Sequence, residues 1–350
     1  MISIKKIDNP FYAEERNHQW KWFSRLLIKT VKVAGFKCYL PGISINKLVK
    51  IINGNRKKKG YRLALWNCGR GLLQNYGSGK LDEIRQFIES KHPHCFGIVE
   101  SDLFGTNSQF NRRKYTSDEI LEKLKIDGYK LELPATWSKH GQARIICYVS
   151  EEIKYTRLNL NDGNDHIPTI TLSIGSGKAN SAAVHYYYRE WKNGVTGETN
   201  HASQLRCLQQ HLSQVEKLIQ EGHQVVTLGD ANVCALHWND PNFQLKSLAN
   251  EIQSFLLSKS CFQLVDQYTR IQNVSGNLQY SCLDHVTTNI PEKCNVPEVF
   301  PSLSSDHLPV MVTKFSHEVR TQPKTIKKRL YKNFSPVNFL LDAYQCMIRY

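Results

Sequence analysis

Apolar residues along this chain recur with two different periods, and the switches between them set out alternating strands and helices. Arg62-Leu63-Ala64-Leu65-Trp66 reads as a strand that ends at Asn67, followed by a turn, Cys68-Gly69-Arg70-Gly71. Leu81, Ile84 and Ile88 then recur at helical spacing, with Asp82 and Glu83 in the first turn, where acidic groups suit the helix dipole. A second apolar run, Cys95-Phe96-Gly97-Ile98-Val99, stops at Glu100. Residues 129–191 are strand-like, most clearly over 144–149 and 182–188, with Gly- and Asn-rich connections. Leu205, Leu208, Leu212, Val215 and Leu218 predict a strongly amphipathic helix closed by Gly222. It leads into a buried strand, Val225-Val226-Thr227-Leu228, which ends at Gly229-Asp230-Ala231-Asn232; Gly229 is expected to let the backbone turn tightly before the polar pair. Leu245, Leu248, Ile252 and Phe255 mark another helix. Three short steps complete the series: Leu264-Val265-Asp266, Ser281-Cys282-Leu283-Asp284-His285 and Ser304-Ser305-Asp306-His307-Leu308-Pro309-Val310. Strands alternating with helices argue an α/β or α+β fold, and the short connections argue one compact domain.

Charge divides the 350 residues differently. The formal net charge is +15, but residues 1–60 hold 14 Lys or Arg against 3 Asp or Glu, and residues 317–350 hold 7 against 2. The span between them is near neutral. We therefore expect a basic N-terminal extension over 1–60, one folded domain over 61–316, and a basic C-terminal linker and helix over 317–350. Basic ends favour a polyanionic partner for the extensions and say little about the domain. Residues 20–33 have the pattern of a basic amphipathic helix, open to a membrane surface, targeting or packing role, and Arg56-Lys57-Lys58-Lys59 is a basic cluster at the expected boundary. Ten cysteines without a Cys-x-x-Cys pair signal neither a zinc module nor a compact disulfide framework, and are expected to be mostly reduced thiols. No apolar run approaches membrane-spanning length, and the N-terminus lacks a secretory apolar region.

Polar residues gather at the strand ends. Taken singly, each has a plain structural reading: Gly-Asp-x-Asn is a common turn, Asn67 and Glu100 can be capping groups, and an Asp-His pair is most often a surface feature. Together they cover the needs of phosphodiester hydrolysis, which are a positioned water, a cation against developing phosphate charge, and help for the departing oxyanion. Glu100 with Asn67 can hold a hard divalent ion, and Asp306 adds an oxygen. Asp230 with Asn232 can orient and deprotonate water. Asp284 can orient His307. Oxygen-rich ligation favours Mg2+ or Mn2+ over zinc. In Tyr186-Tyr187-Tyr188-Arg189 a tyrosine hydroxyl and a guanidinium can contact phosphate, yet alternating tyrosines on a half-buried strand are equally expected for packing.

The ordered series Trp66-Asn67, Ile98-Val99-Glu100, Tyr188-Arg189, Gly229-Asp230-Ala231-Asn232, Leu283-Asp284-His285 and Ser305-Asp306-His307-Leu308-Pro309-Val310 resembles the endonuclease/exonuclease/phosphatase superfamily. Within it, Gly229 to Trp238, the Thr269-Arg270 step and the basic tail leading to Phe334-Ser335-Pro336 are most similar to the apurinic/apyrimidinic-type endonuclease domain of non-LTR (LINE-type) retrotransposons. The resemblance spans 61–316 and implies a four-layer sandwich, two mostly antiparallel β-sheets flanked by helices, with the site at one edge. It implies Asp230 as general base, Asn232 as its positioner, Asp284 orienting His307 and Tyr188 on phosphate. In the metal group, Glu100 becomes the ligand, Asn67 its supporting amide and Asp306 a neighbour of the metal or active site, and Arg189 and Arg70 become substrate contacts. One departure is that the family places Pro soon after the Tyr, where this chain has Arg189-Glu190-Trp191. The implied cofactor is Mg2+ (or Mn2+), the implied partner DNA, with no membrane or small-molecule cofactor and a monomeric chain. A nuclear location follows from that substrate and the basic clusters; no reverse transcriptase is expected within these residues.

Two competing readings remain at this level. One is a phosphatase or phospholipase of the same superfamily acting on phosphoinositide or sphingomyelin. Against it, Gln279-Tyr280-Ser281-Cys282-Leu283-Asp284 does not match the Pro-x-Trp-Cys-Asp-Arg pattern of inositol phosphatases. The other is a non-catalytic DNA-binding remnant, whose DNA binding would be salt-sensitive and carried by the extensions.

Overall fold

The computed structural model describes residues 60–69, 72–73, 79–104, 116–134, 142–160, 168–175, 181–190, 201–302 and 304–315. The amphipathic pattern at 20–33, the Arg56–Lys59 cluster, Arg70 and the C-terminal tail lie outside the described residues.

The apolar run after Gly60 forms β1 (Gly60–Asn67) and continues through α1 (Lys80–Lys91) into β2 (Cys95–Phe104). The helix α2 (Ser117–Leu124) follows, begun by a capping box in which Thr116 and Glu119 satisfy each other's free N–H groups. Then come β3 (Tyr129–Glu132), β4 (Gln142–Ser150), β5 (Tyr155–Leu158), β6 (Thr169–Ile174) and β7 (Ala182–Tyr188). The long helix α3 (His201–Gln220) leads to β8 (Val225–Asp230), and α4 (Lys246–Ser258) to β9 (Phe262–Gln263). A hairpin, β10 (Arg270–Val274) and β11 (Asn277–Ser281), precedes β12 (Asp284–Thr288), β13 (Glu298–Val299) and β14 (Val310–Phe315).

Two six-stranded sheets result, ordered β13-β14-β1-β2-β4-β3 and β5-β6-β7-β8-β12-β9. Each is antiparallel except for one central parallel pair, β1 with β2 and β7 with β8. Those two pairs are the ones joined through a helix, α1 or α3, because a parallel neighbour requires a crossover longer than a turn. Strand alternation then divides the apolar residues. Leu63, Leu65, Val184, Tyr186, Val226, Leu228, Val286, Val310 and Val312 face inward and join the two sheets in one core. Ala64, Trp66, Phe96, Ile98 and Ile146 face out, under Ile84, Phe87 and Ile88 of α1 and Ile120 and Leu124 of α2. Tyr187, Ala231 and Val233 lie under Leu208 and Leu212 of α3 and Leu248 and Ile252 of α4. The order is helices, sheet, sheet, helices: the expected four-layer sandwich.

Two glycines make close approaches possible. A Cβ on Gly97 would stand 2.3 Å from the Tyr186 ring, and one on Gly229 2.3 Å from the Tyr187 ring. The expectation that Gly229 starts a turn is therefore corrected. It lies within β8, and the chain turns instead at Asn232, whose φ is 49°.

Candidate active site

Alternation of period two, continued to the strand ends, brings most of the chemistry together. Leu63 and Leu65 face the inter-sheet core, so Asn67 does as well; Tyr186 faces it, so Tyr188 follows; Val226 and Leu228 are succeeded by Asp230; and Asp284 shares the face of Val286. Asp230 and Asp284 are direct cross-strand partners on β8 and β12. Tyr187 points to the opposite, helix-covered face and stacks on His211 at 3.6 Å between ring centroids. The three tyrosines are thus distinguished by direction and depth, with Tyr188 alone at the strand end.

Glu100 needs a different device, since simple alternation would aim it outward with Ile98. The β2–β4 register shifts between Val99 and Leu103, and Glu100 and Asp102 take left-handed φ values of 55° and 45°. This bulge turns Glu100 back toward the site. Such conformations cost non-glycine residues about 1–3 kcal/mol each and persist where the surroundings hold them. The holding contacts are present. Asn67 Nδ2 donates to Glu100 Oε1 at 3.1 Å, and the Tyr188 hydroxyl donates to the same oxygen at 2.8 Å. Arg144, on the neighbouring β4, pairs with Asp102 at 2.5 Å and donates to the Tyr188 hydroxyl at 3.1 Å. Burial alone would raise the Glu100 pKa, but the Asn67 and Tyr188 hydrogen bonds and the Arg144 guanidinium outweigh it and hold the carboxyl below its usual range.

Asn67 is the hub. Its Nδ2 also donates to Asp230 Oδ2 at 2.8 Å, while its Oδ1 accepts the Gly69 N–H at 2.8 Å. Asn67 shows the carboxylates its N–H2 group and so positions Glu100 and Asp230, the geometry of a supporting amide. The second Asp230 oxygen, Oδ1, accepts the Asn232 backbone N–H at 2.8 Å. Asp230 is fully buried. Burial first, and then the facing Asp284 carboxylate, push its pKa up to about 7 against the opposing His307 charge and the two N–H donors.

His307 Nδ1 lies 2.8 Å from Asp284 Oδ2. Burial disfavours its charged form, yet the Asp284 carboxylate and the hydrogen bond to it prevail and lift the imidazole to about 9. The loop carrying it is bolted down on several sides. Trp66 Nε1 donates to the His307 carbonyl at 3.0 Å, Ser305 Oγ donates to the Asn67 carbonyl at 2.8 Å, and the Leu308 N–H donates to the Thr269 carbonyl at 2.7 Å, while Thr269 Oγ1 holds the Asp284 segment by accepting the N–H groups of Leu283 and Asp284 at 3.0 Å each. Asp230, Asp284 and His307 form the one compact metal-capable group found among the described residues, with one ligand atom of each lying within 4.8 Å of the others. Asp284 Oδ1 is buried and has no hydrogen-bond partner among the described residues. Asp306 lies beside this group, not in it; its Oδ2 pairs with Arg270 Nε of β10 at 2.7 Å.

Arg189 is a correction. Its guanidinium is 1% exposed and spends its donors on the carbonyls of Ala231 and Asn232 and on Gln204 of α3, so it does not face a substrate. Arg144 is the residue missed: a positive side chain beginning a strand carries no local signal, and its role depends on the bulge across the sheet from it.

A family profile described as endonuclease-reverse transcriptase matches residues 183–311, which run from β7 to β14. No curated protein sequence matches the chain at a significant level. Among solved structures, the endonuclease domain of TRAS1, a telomere-specific non-LTR retrotransposon, is similar with a TM-score of 0.50 at 13% identity, over 73% of this chain and 98% of that one. The AP endonuclease LMAP from Leishmania major is similar with a TM-score of 0.54 at 15% identity, over 74% of this chain and 88% of that one. The catalytic domain of Xenopus laevis APE2 gives 0.53 at 12% identity, over 73% and 94%. At these identities the likeness establishes the fold. The chain therefore has the endonuclease/exonuclease/phosphatase fold, and residues 183–311 within it are similar to the endonuclease-reverse transcriptase family.

Proposed function

We propose that this protein is a divalent-metal-dependent endonuclease that nicks DNA by in-line attack of water on a phosphodiester. The observation carrying the reading is the convergence, between the ends of two sheets, of the Asn67–Glu100–Tyr188 group with Asp230 and the Asp284–His307 pair. The donor set suits a hard cation: Glu100 is held ionised by its neighbours with Oε2 outside those hydrogen bonds, and Asp306, one oxygen of which is paired with Arg270, is close enough to His307 to act on its charge. Carboxylates also outnumber cationic groups around the site, so a phosphate entering it requires added positive charge. Glu100 and Asp306 are the residues that would hold Mg2+ or Mn2+, which when bound supplies Lewis-acid stabilisation of the phosphate's developing charge.

The chain's own residues supply the rest. Asp230, raised toward neutrality and held at both oxygens by Asn67 and Asn232, takes the proton from the attacking water. Asp284 fixes the His307 ring through Nδ1, leaving Nε2–H to donate to a phosphate oxygen as negative charge builds. Tyr188 holds Glu100 through its hydroxyl. The test is relaxation of supercoiled plasmid with Mg2+ or Mn2+. Nicking abolished by EDTA supports the reading, and release of phosphate from phosphoinositides or cleavage of sphingomyelin without nicking contradicts it.

A further inference from the structure

Immediately beyond β8 the chain leaves the sheet, and the carbonyls of Ala231 and Asn232 have no ladder partners there. Arg189 supplies them: Nε donates to the Ala231 carbonyl, Nη2 to the Asn232 carbonyl at 2.9 Å, and Nη1 to Gln204 Oε1 on α3. The main chain of Arg189 is tied to the same turn, its N–H donating to the Asp230 carbonyl at 3.0 Å and its own carbonyl accepting Asn232 Nδ2 at 2.7 Å. The turn it grips is an unfavourable one, with Asn232 in the left-handed region at φ 49°. That conformation is what places the Asn232 N–H on Asp230 Oδ1.

We propose that Arg189 is a positioning residue for the reaction: its buried guanidinium holds the Asp230–Asn232 turn so that the Asp230 carboxylate stays aimed between Asn67 and the Asn232 N–H. The proposal rests on the nuclease reading above. Arginine is required by geometry, because a rigid planar fork can bridge two successive carbonyls and a third acceptor, whereas a lysine ammonium is a point charge on a flexible stem. The fork is tied through Gln204 to a helix covering the sheet, so the turn is referenced to rigid structure. No such span is open to an unbranched or apolar side chain at this position.

The experiment compares the full chain with Arg189→Lys and Gln204→Leu in plasmid nicking with Mg2+ and with Mn2+. It measures kcat per folded molecule, KM, thermal midpoint and backbone hydrogen exchange of peptides covering residues 229–233. For Arg189→Lys we expect kcat to fall ~100-fold with KM little changed, as misplacement of a catalytic group predicts, and exchange to rise at 229–233 but not across β1 or β14. An unchanged kcat, or a loss no greater than the loss of folded protein, overturns the proposal. Should Arg189→Lys not fold, Gln204→Leu carries the test: a ~10-fold fall in kcat at constant KM supports positioning, and an unchanged kcat overturns it. A parent protein that nicks no DNA with either metal removes the nuclease reading and this proposal together. An active parent with fully active variants removes this proposal alone.

Discussion

Asp230 shows how a single side chain is prepared by its surroundings. The fold buries it and sets a second carboxylate directly opposite, which favours the neutral form; folded Asp230 titrates near 7 against an ordinary value of 3.8. A folded pKa above the unfolded one means that the folded state binds the extra proton between those values. Stability is therefore greatest at low pH in this respect and is lost as pH rises through 7. His307, raised from 6.5 to about 9, has the same sign, its contribution being full below 6.5 and lost as pH rises through 9. We therefore expect the thermal midpoint of the metal-free protein to fall from pH 6 to pH 8, to fall by less in Asp230→Asn, which has no proton to lose there, and nicking to drop at least about 100-fold in that variant. An equal fall in both proteins would show that Asp230 does not titrate in this range, contrary to this account. The tyrosines make a second contrast at the same scale. The Tyr186 hydroxyl is buried without a hydrogen-bond partner among the described residues, whereas the Tyr188 hydroxyl joins Arg144 to Glu100. Tyr186→Phe should leave nicking unchanged and the thermal midpoint equal or higher. Tyr188→Phe should cost roughly 10-fold in kcat, within the range for lost positioning of a reacting group. Equal effects from the two would contradict the assignment of Tyr188.

Among the elements, the β2 strand decides most. Its Gly97 admits the Tyr186 ring between the sheets, so Gly97→Ala forces a Cβ to within 2.3 Å of that ring. Overpacking of this kind costs about 1–3 kcal/mol, to be read as a lowered urea midpoint; an unchanged midpoint would mean that the sheets separate freely. Three residues further on, the bulge turns Glu100 inward. The limits of sequence reading are clear in this strand. That β2 runs on past Glu100 to Phe104, and that Asp284 opens β12 rather than ending a strand, left no mark in the pattern, whereas the apolar run of β2, the period-3.6 helices and the strands ending at Asn67 and Asp230 were legible. The direction of Glu100 was not, because two left-handed residues without glycine leave no mark in an alternation pattern. Arg189 was misjudged for a related reason: a charged residue just past a strand end is usually solvated, and only the placement of α3 and the turn after β8 buries it. The amide of Asn67 was located correctly at the strand end, but whether it offers oxygen or N–H2 is decided by Gly69 and two carboxylates remote in sequence. The hairpin β10–β11 and the short helix α2 were missed, since five polar-rich residues per strand, or two helical turns, are too short for a periodic signal.

For the whole molecule, two sheets of matching topology each contribute the ends of their central strands to a single edge. Asn67 and Glu100 come from β1 and β2 of one sheet, and Tyr188, Asp230 and Asp284 from β7, β8 and β12 of the other. The site therefore depends on the register between sheets, and Asn67 bridges that boundary with a hydrogen bond to each side. Charge is distributed on a different plan, with the surplus of basic residues in the sequence beyond the strands, at 1–60 and 317–350. We propose that residues 61–316 suffice for catalysis and that the basic segments add phosphate contacts. A fragment limited to those residues should nick with the same metal dependence and a shallower fall in activity with salt, since each phosphate neutralised contributes about 0.9 to the logarithmic salt slope. An identical salt slope would assign DNA binding to the domain alone. The most direct test of the central claim is relaxation of supercoiled plasmid by the full chain with Mg2+, with EDTA, and with His307→Ala. Nicking that requires the metal and falls at least about 100-fold in the variant is the predicted result; nicking that persists in EDTA, or survives intact in His307→Ala, would contradict it.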